Sequence, residues 1–338
     1  MAERVVVTGA AGFVGRHLVE RLVRQGLEVI ASDLRDPGVS GATFVACDIT
    51  DPAACAALCA GAATVYHVAS LVQTRRAGAD LVWAVNRDGT RNLLNAGTDA
   101  GVRQFIYVSS ASVVYEGRDI ENGDETLPYT AVSQAPYADS KLAAEKEVVA
   151  ATGAMLTCAI RPHVVYGPGD TRFFPAILSR AMAGKLKLGV GREHKLSDFT
   201  YIDNLVDALM LARQRLTPES GLGGRVWFVT NGEPLSFWEF VDRTLDALAL
   251  PRTRGRIPYP VAYAIAACVE FYKNMTGTAG PEDGFTRFAV RYMCTHHYFS
   301  IERARRELGY EPAVSIDEGI RRTIAWFNAE RAASEKQP

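Results

Sequence analysis

Residues 5–15 read Val5-Val6-Val7-Thr8-Gly9-Ala10-Ala11-Gly12-Phe13-Val14-Gly15. Three consecutive valines predict a short buried strand, and a glycine trio follows it directly and opens a helical pattern. Gly9 permits a tight turn. Gly12 lets the backbone approach a pyrophosphate, Gly15 allows close packing of helix on strand, and the helix N-terminus favours the anion. Phe13 and Val14 begin the helix and border the same turn. Along that helix Val14, Leu18, Leu22 and Gln25 fall near one stripe, and Gly26 ends it. A glycine trio alone also suits an ordinary turn. The deciding context is a second strand-like run that ends at Asp33, about 20 residues on, the spacing of a dinucleotide-binding βαβ unit.

The alternation continues outward from there. Residues 5–7, 28–31, 43–46, 64–68, 105–109 and 155–160 read as strands. Helical stretches lie between them at 12–25, 52–59, 79–100 and 136–151. The strands are continuous apolar runs, which suits a sheet covered on both faces. The expected fold is therefore α/β: a Rossmann doubly wound parallel sheet with a smaller C-terminal substrate-binding lobe. After Gly167 the pattern loosens. Helices are expected at 173–183, 203–213, 236–247, 260–273, 301–307 and 316–331, with one more strand at 225–230. We expect residues 1–170 to form the NAD-binding domain, with segments of about 196–250 returning to it. Residues 171–195 and 251–331 are expected to form the substrate lobe.

Composition excludes several classes. Of 338 residues, 48% are hydrophobic and 22% charged, so disorder is excluded. With 37 basic and 38 acidic residues the net charge is −1, which leaves no footprint for nucleic acid. The six cysteines are scattered and form no CxxC pair, so we expect free thiols in a reducing, cytoplasmic setting. No signal peptide precedes the first strand, and the least charged stretch, 257–269, falls short of the ~20 apolar residues of a membrane span.

Asp33 is placed to accept hydrogen bonds from an adenosine ribose. Its charge repels a 2′-phosphate, so NAD is favoured over NADP, although Arg35 partly offsets this. Asp48 and Ile49, at the end of the third strand, are expected near the adenine. Val68, Ala69 and Ser70, after the fourth, are expected beside the pyrophosphate and ribose. Tyr137 and Lys141 stand four apart at the start of a helix marked by Pro136, so phenol and ammonium share a face. A free tyrosine titrates near pH 10, and a neighbouring cation lowers that, making Tyr137 a usable acid or base. Ser110, at the end of the fifth strand, is placed to orient a substrate oxygen; Ser109 suits this less well. Pro162, His163 and Val165 follow the next strand, near the expected nicotinamide end. His163 reads as a hydrogen-bonded structural histidine in preference to a second acid or base. His296-His297 lacks an acidic or cysteine ligand pattern nearby, so no metal is assigned.

These residues identify a resemblance to the extended short-chain dehydrogenase/reductases. Gly9, Gly12 and Gly15, Ser110, and Tyr137 with Lys141 match that family's cofactor and catalytic motifs. The chain further resembles the 3β-hydroxysteroid dehydrogenase branch. It is closer still to the decarboxylating sterol-4α-carboxylate 3-dehydrogenases, in the stretches Ser109–Gly117, Asp119–Gly123, Leu127–Tyr129, Ala159–His163, Tyr166–Pro168, Asp198–Tyr201, Thr230–Pro234, Phe237-Trp238, Ile257–Tyr259 and Val261–Tyr263. The resemblance implies oxidation of the 3β-hydroxyl of a 4α-carboxysterol, with decarboxylation at C4, in sterol and lipid metabolism. A 3β-hydroxysteroid dehydrogenase/isomerase and a 2-alkyl-3-oxoalkanoate reductase are the alternatives. A sugar-nucleotide epimerase shares the Tyr/Lys pair. A non-catalytic nucleotide sensor is the remote alternative, disfavoured because that pair is intact.

A sterol needs a large apolar cleft, for which Tyr166, Phe173, Phe174, Phe199, Tyr259, Tyr263, Phe285 and Phe288 are candidate lining. Arg172, Arg192, Lys195 and Arg287 are candidate partners for the C4 carboxylate. The hydrophobic stretch near 264–276 of the resembling eukaryotic enzymes is broken here by Glu270, Lys273 and Asn274, so membrane anchoring does not carry over. A lid helix over the cleft is preferred there to a helix at a bilayer surface touching it through Tyr263, Ile265, Phe271 and Tyr272. The resemblance also implies a homodimer paired through 79–100 and 136–151.

Overall fold

The computed structural model describes residues 3–73, 78–133, 135–191, 194–276 and 285–334. Its centre is a seven-stranded sheet. We number these strands β1 (Arg4–Thr8), β2 (Glu28–Asp33), β3 (Thr43–Ala46), β4 (Thr64–His67), β5 (Gln104–Val108), β6 (Leu156–Pro162) and β7 (Arg225–Val229). Every pairing is parallel, in the spatial order β7-β6-β5-β4-β1-β2-β3. The order reverses between β1 and β4, so a crevice opens at the carboxyl ends of those two strands, where ligands bind in open α/β sheets. The doubly wound sheet expected from the sequence is present, and the strand near 225–230 is its far edge.

The helices are α1 (Phe13–Arg24), α2 (Pro52–Cys59), α3 (Ala79–Trp83), α4 (Gly89–Asp99), α5 (Pro136–Ala150), α6 (Phe173–Met182), α7 (Ile202–Arg215), α8 (Phe237–Ala247), α9 (Tyr259–Thr276), α10 (Arg287–Met293), α11 (Glu302–Leu308) and α12 (Ile316–Ser334). Alternation along β1 builds both cores. Val5 and Val7 join Leu18 and Leu22 of α1 and Leu205 of α7, whereas Val6 joins Cys55 of α2, Leu93 of α4 and Val148 of α5. At about 1.5–3 kcal/mol for each fully buried aliphatic side chain, this two-sided burial dominates the sheet's stability. Local chemistry sets several ends. Asp51 accepts from the Ala53 amide at 2.9 Å to cap α2, and Ser236 accepts from Glu239 at 3.1 Å to cap α8.

Three differences from the sequence reading have physical causes. The helix expected over 79–100 is interrupted by a wider π-helical turn, Ala84–Asp88, that turns Asn86 inward. Tyr166, Phe174 and Phe199 do not line a cleft. They are fully buried in the core, where Phe199 stacks on Phe240 at 4.2 Å and the Tyr166 hydroxyl donates to the Ile316 carbonyl at 3.1 Å. The loosened second half also contains α10 and contributes three strands to a small sheet ordered 235–236, 196–197, 297–299, 120–123, the last from the first half. Strands of two to four residues carry too little periodicity to be read from sequence.

Candidate active site

The glycine-rich turn is built for close approach. Gly9 has φ +69°, and a Cβ there would lie 2.6 Å from the Ala69 backbone; a Cβ on Gly15 would lie 2.0 Å from the Gly9 carbonyl oxygen. Gly12 precedes α1, whose N-terminus carries no side-chain cap and no acidic residue in its first turn. Its amides therefore offer an anion site. The Asp33 carboxylate accepts from Ala11 at 3.0 Å and Leu34 at 2.7 Å, which ties the end of β2 to the turn. Val68, Ala69 and Ser70 are half-buried across the crevice. Asp48 is exposed and accepts two bonds from Thr50, which hold its carboxyl below the usual range, while Ile49 is buried against Gly89. These residues fit a dinucleotide: a turn whose close approaches fall at glycines, open helix amides and a strand-end carboxylate.

Two supporting residues escape a sequence reading. His67 is buried, with Nδ1 2.7 Å from Thr8 Oγ1 and Nε2 2.8 Å from Thr90 Oγ1. Burial pushes its imidazole down to about 3, so it is neutral. Asn86 accepts from the Leu71 amide at 2.7 Å and donates to the Leu71 carbonyl and Ser140 Oγ, each at 3.0 Å. It thus links the loop after β4 to α5. The available signal was a polar cluster, Asn86 to Thr90, within an otherwise helical pattern.

Pro136 starts α5, and Tyr137, Lys141 and Glu145 follow at one-turn intervals. The Lys141 ammonium donates to the Val108 carbonyl at 2.5 Å and lies 4.2 Å over the Tyr107 ring. Burial lowers its pKa to about 7, against the pull of Glu145. Glu145 is itself buried in an ion pair with Arg161 at 2.5 Å. The Tyr137 phenol is raised above its ordinary value, chiefly by burial; a hydrogen bond with Ser110 and the charge of Arg172 oppose this. The Lys141 ammonium is engaged with the carbonyl at the end of β5. Ser110 precedes a short 3-10 turn, where its hydroxyl also meets Ser112 Oγ at 2.9 Å, while Ser109 is buried behind it. The structure thus brings Ser110, Tyr137 and Lys141 together at the carboxyl ends of β5 and α5's first turns.

Other expected residues lie at the margins. Pro162 ends β6, and Val165 pairs with Thr200 in a two-residue strand. His163 is buried, its Nε2 2.7 Å from His297 Nδ1. Among the candidate cations, Lys195 pairs with Asp119 at 2.7 Å and Arg287 with Glu270 at 2.6 Å. Arg192 lies outside the described residues. Arg172 donates to the Val72 carbonyl at 3.0 Å, and its charge acts on Tyr137. Asp119 and Glu121 do come beside His296, an acidic neighbourhood the sequence did not reveal, but Lys195 already neutralises Asp119.

Residues 6–260 match the model of the 3-beta hydroxysteroid dehydrogenase/isomerase family. The chain belongs to that family. It is 34% identical over 335 residues to a sterol-4-alpha-carboxylate 3-dehydrogenase, decarboxylating, of Mus musculus, covering 97% of this chain and 91% of that protein. A 3 beta-hydroxysteroid dehydrogenase/Delta 5-->4-isomerase of Mycobacterium tuberculosis is 36% identical, with coverage of 96% and 90%. A 2-alkyl-3-oxoalkanoate reductase of Stenotrophomonas maltophilia is 37% identical, with coverage of 95% and 98%. Among solved structures, MoeE5 in complex with UDP-glucose and NAD superimposes with a TM-score of 0.74 at 25% identity, covering 97% of this chain and 99% of that one. As a member of this family the chain is an oxidoreductase of the short-chain dehydrogenase/reductase class acting on a sterol or related lipid.

Proposed function

We propose that the protein oxidises the 3β-hydroxyl of a 4α-carboxysterol with NAD, and that the C4 carboxyl group then leaves as carbon dioxide. The observation that supports this reading is the meeting of Ser110, Tyr137 and Lys141 at the end of β5 in a chain 34% identical to a sterol-4-alpha-carboxylate 3-dehydrogenase; Arg172, which donates to the Val72 carbonyl in the loop after β4, is the candidate partner for the carboxylate. The carbon bearing the carboxylate adjoins the carbon that is oxidised, so a substrate of this class needs a cation beside the catalytic base. Gly9, Gly12, Phe13, Val14, Gly15, Asp33, Asp48, Ile49, Val68, Ala69, Ser70, Pro162, His163 and Val165 would surround NAD, which when bound supplies the hydride acceptor. Tyr137 takes the hydroxyl proton, Ser110 orients the oxygen, and Lys141 holds the nicotinamide ribose. The ketone formed is a β-keto acid, whose carbonyl receives the electron pair of the departing carboxylate. Residues 171–195 and 251–331 form the substrate lobe in this reading.

Incubation with NAD and a 4-carboxysterol is expected to release NADH and carbon dioxide together. NADH without carbon dioxide would indicate a plain hydroxysteroid dehydrogenase. The 37% identity to a 2-alkyl-3-oxoalkanoate reductase keeps one other reading, because its substrate is also a β-keto acid that Arg172 suits. Preference for NADPH and turnover of such an acid would establish it.

The lobe also has an outward surface. Helix α9 buries Ala262 and Ala266 against Val190 and Val290, while Val261, Ile265, Phe271, Tyr272 and Met275 are exposed. Among the described residues no helix is long and apolar enough to cross a membrane. The inner face fits the lid reading, and the outer face supports peripheral contact with a bilayer. Absence of liposome binding by the intact protein eliminates the second role. We further propose a homodimer through α4 and α5, to be tested by sedimentation.

A further inference from the structure

Tyr292 is held at both ends by buried histidines that take no part in the proton and hydride transfers above. His297 Nε2 lies 2.7 Å from the Tyr292 carbonyl oxygen. A carbonyl only accepts, so this nitrogen carries the proton. Burial keeps His297 and His163 neutral, which leaves His297 Nδ1 bare. It accepts from His163 Nε2 at 2.7 Å and Ser197 Oγ at 3.0 Å. His163 is therefore protonated on Nε2, and its bare Nδ1 faces the Tyr292 hydroxyl at 3.3 Å; the same hydroxyl is 3.1 Å from Nε2. The Tyr292 ring stacks on His297 at 4.0 Å and meets Tyr115 edge-on at 5.4 Å. The Tyr115 hydroxyl is itself tied to Thr295 at 2.7 Å. Ring, carbonyl and hydroxyl are all constrained, so the phenol has one position.

That position is at the active site. His163 directly follows the end of β6, and Tyr115 lies five residues beyond Ser110. Tyr292, like Tyr137, is mostly buried, with its ring against Tyr115 of the segment that follows Ser110. Its hydroxyl carries a single proton that can turn from His163 toward a bound substrate.

We propose that Tyr292 is a second catalytic residue, the proton donor to the carbon next to the C3 carbonyl, with His163 and His297 as positioning residues. The proposal rests on the 4-carboxysterol reading and completes it. After hydride removal the bond from C4 to the carboxylate breaks, carbon dioxide leaves, and the electron pair passes into the enolate. The enolate pair then forms a bond from C4 to the Tyr292 proton, and the C3 carbonyl is restored. Water then returns a proton to the phenolate, leaving hydroxide, which the proton released from the C3 hydroxyl neutralises. Tyr137 cannot conveniently serve here. Ser110 directs it at the oxygen, which lies in the enolate plane, whereas carbon is protonated perpendicular to that plane.

The test uses Tyr292→Phe, which keeps the ring and removes the hydroxyl, with NAD and a 4-carboxysterol in deuterium oxide. The wild-type protein is expected to place deuterium at C4 in one configuration. The variant is expected to form NADH in the first turnover within about twofold of wild type. Its ketone release falls at least about tenfold, and its C4 deuterium appears in both configurations. A variant that keeps both rate and configuration overturns the proposal. If the wild type yields neither NADH nor carbon dioxide, the substrate reading has failed, and exchange of C4 hydrogens of a 3-ketosterol with solvent decides the proton donor separately. Exchange by the wild type that the variant loses sustains Tyr292; equal exchange, or none by either protein, overturns it.

Discussion

The turn after β1 and the histidine cluster around α10 are built differently. In the turn, Gly9, Gly12 and Gly15 act within one short stretch, and their contacts are with one another and with Ala69. In the lobe, His163 meets His297 across 134 positions of sequence, and Tyr292 joins them from a third segment. The first region recognises a cofactor whose shape is fixed, so a fixed backbone serves it. In the proposed function the second serves the substrate, and its side chains come from segments far apart in the chain. The difference teaches that cofactor recognition in this chain is local, whereas substrate chemistry is tertiary.

The sharpest way to break that contrast is at Tyr137, which belongs to neither region but serves both. Tyr137→Phe is expected to lower kcat by about a thousandfold, within the range for loss of a general acid or base, with the fold retained. Initial-rate NADH formation with circular dichroism checks this. Gly15→Ala tests the rigid side. Its Cβ would meet the Gly9 carbonyl at 2.0 Å, and backbone cannot yield as a flexible side chain can. We expect a loss of about 1–3 kcal/mol in unfolding free energy and of dinucleotide binding, read by denaturation and titration.

Arg172→Met tests the adaptable side. The KM for a carboxylated substrate should rise about tenfold or more, consistent with loss of a charge-assisted contact, while that for an uncarboxylated 3β-hydroxysteroid stays within about twofold. Equal changes in both would remove Arg172 from carboxylate recognition. The smallest effect is expected at Asp198, buried beneath the histidine pair and accepting from the Phe299 amide at 2.7 Å. Burial raises its pKa from 3.8 to about 7. Between those values the folded state binds more protons than the unfolded chain, so Asp198 makes stability fall as pH rises. Asp198→Asn should flatten this part of the profile, and Tm measured from pH 4 to pH 8 checks it.

Most of the main sheet was legible because each strand is a continuous apolar run and each crossover helix has its own periodicity. Tyr137 and Lys141 were legible because four residues make about one helical turn. Where the Lys141 ammonium rests was not legible, since its distance to Val108 depends on how α5 packs against β5. Tyr166 and Phe199 were misread as cleft residues for a related reason: an aromatic side chain looks the same in sequence whether it lines a cavity or fills the core. Asn86 was missed because a π-helical turn changes which residue faces inward.

The sequence alone determined the order of the main sheet's strands and their crossover helices, the glycine turn, and the spacing of Tyr137 and Lys141, all set by short-range sterics and helical geometry. The tertiary structure alone decided where the lysine's ammonium points and that two histidines from distant segments clamp Tyr292. Those outcomes depend on packing and desolvation, which arise only when separate stretches of chain share one dry interior.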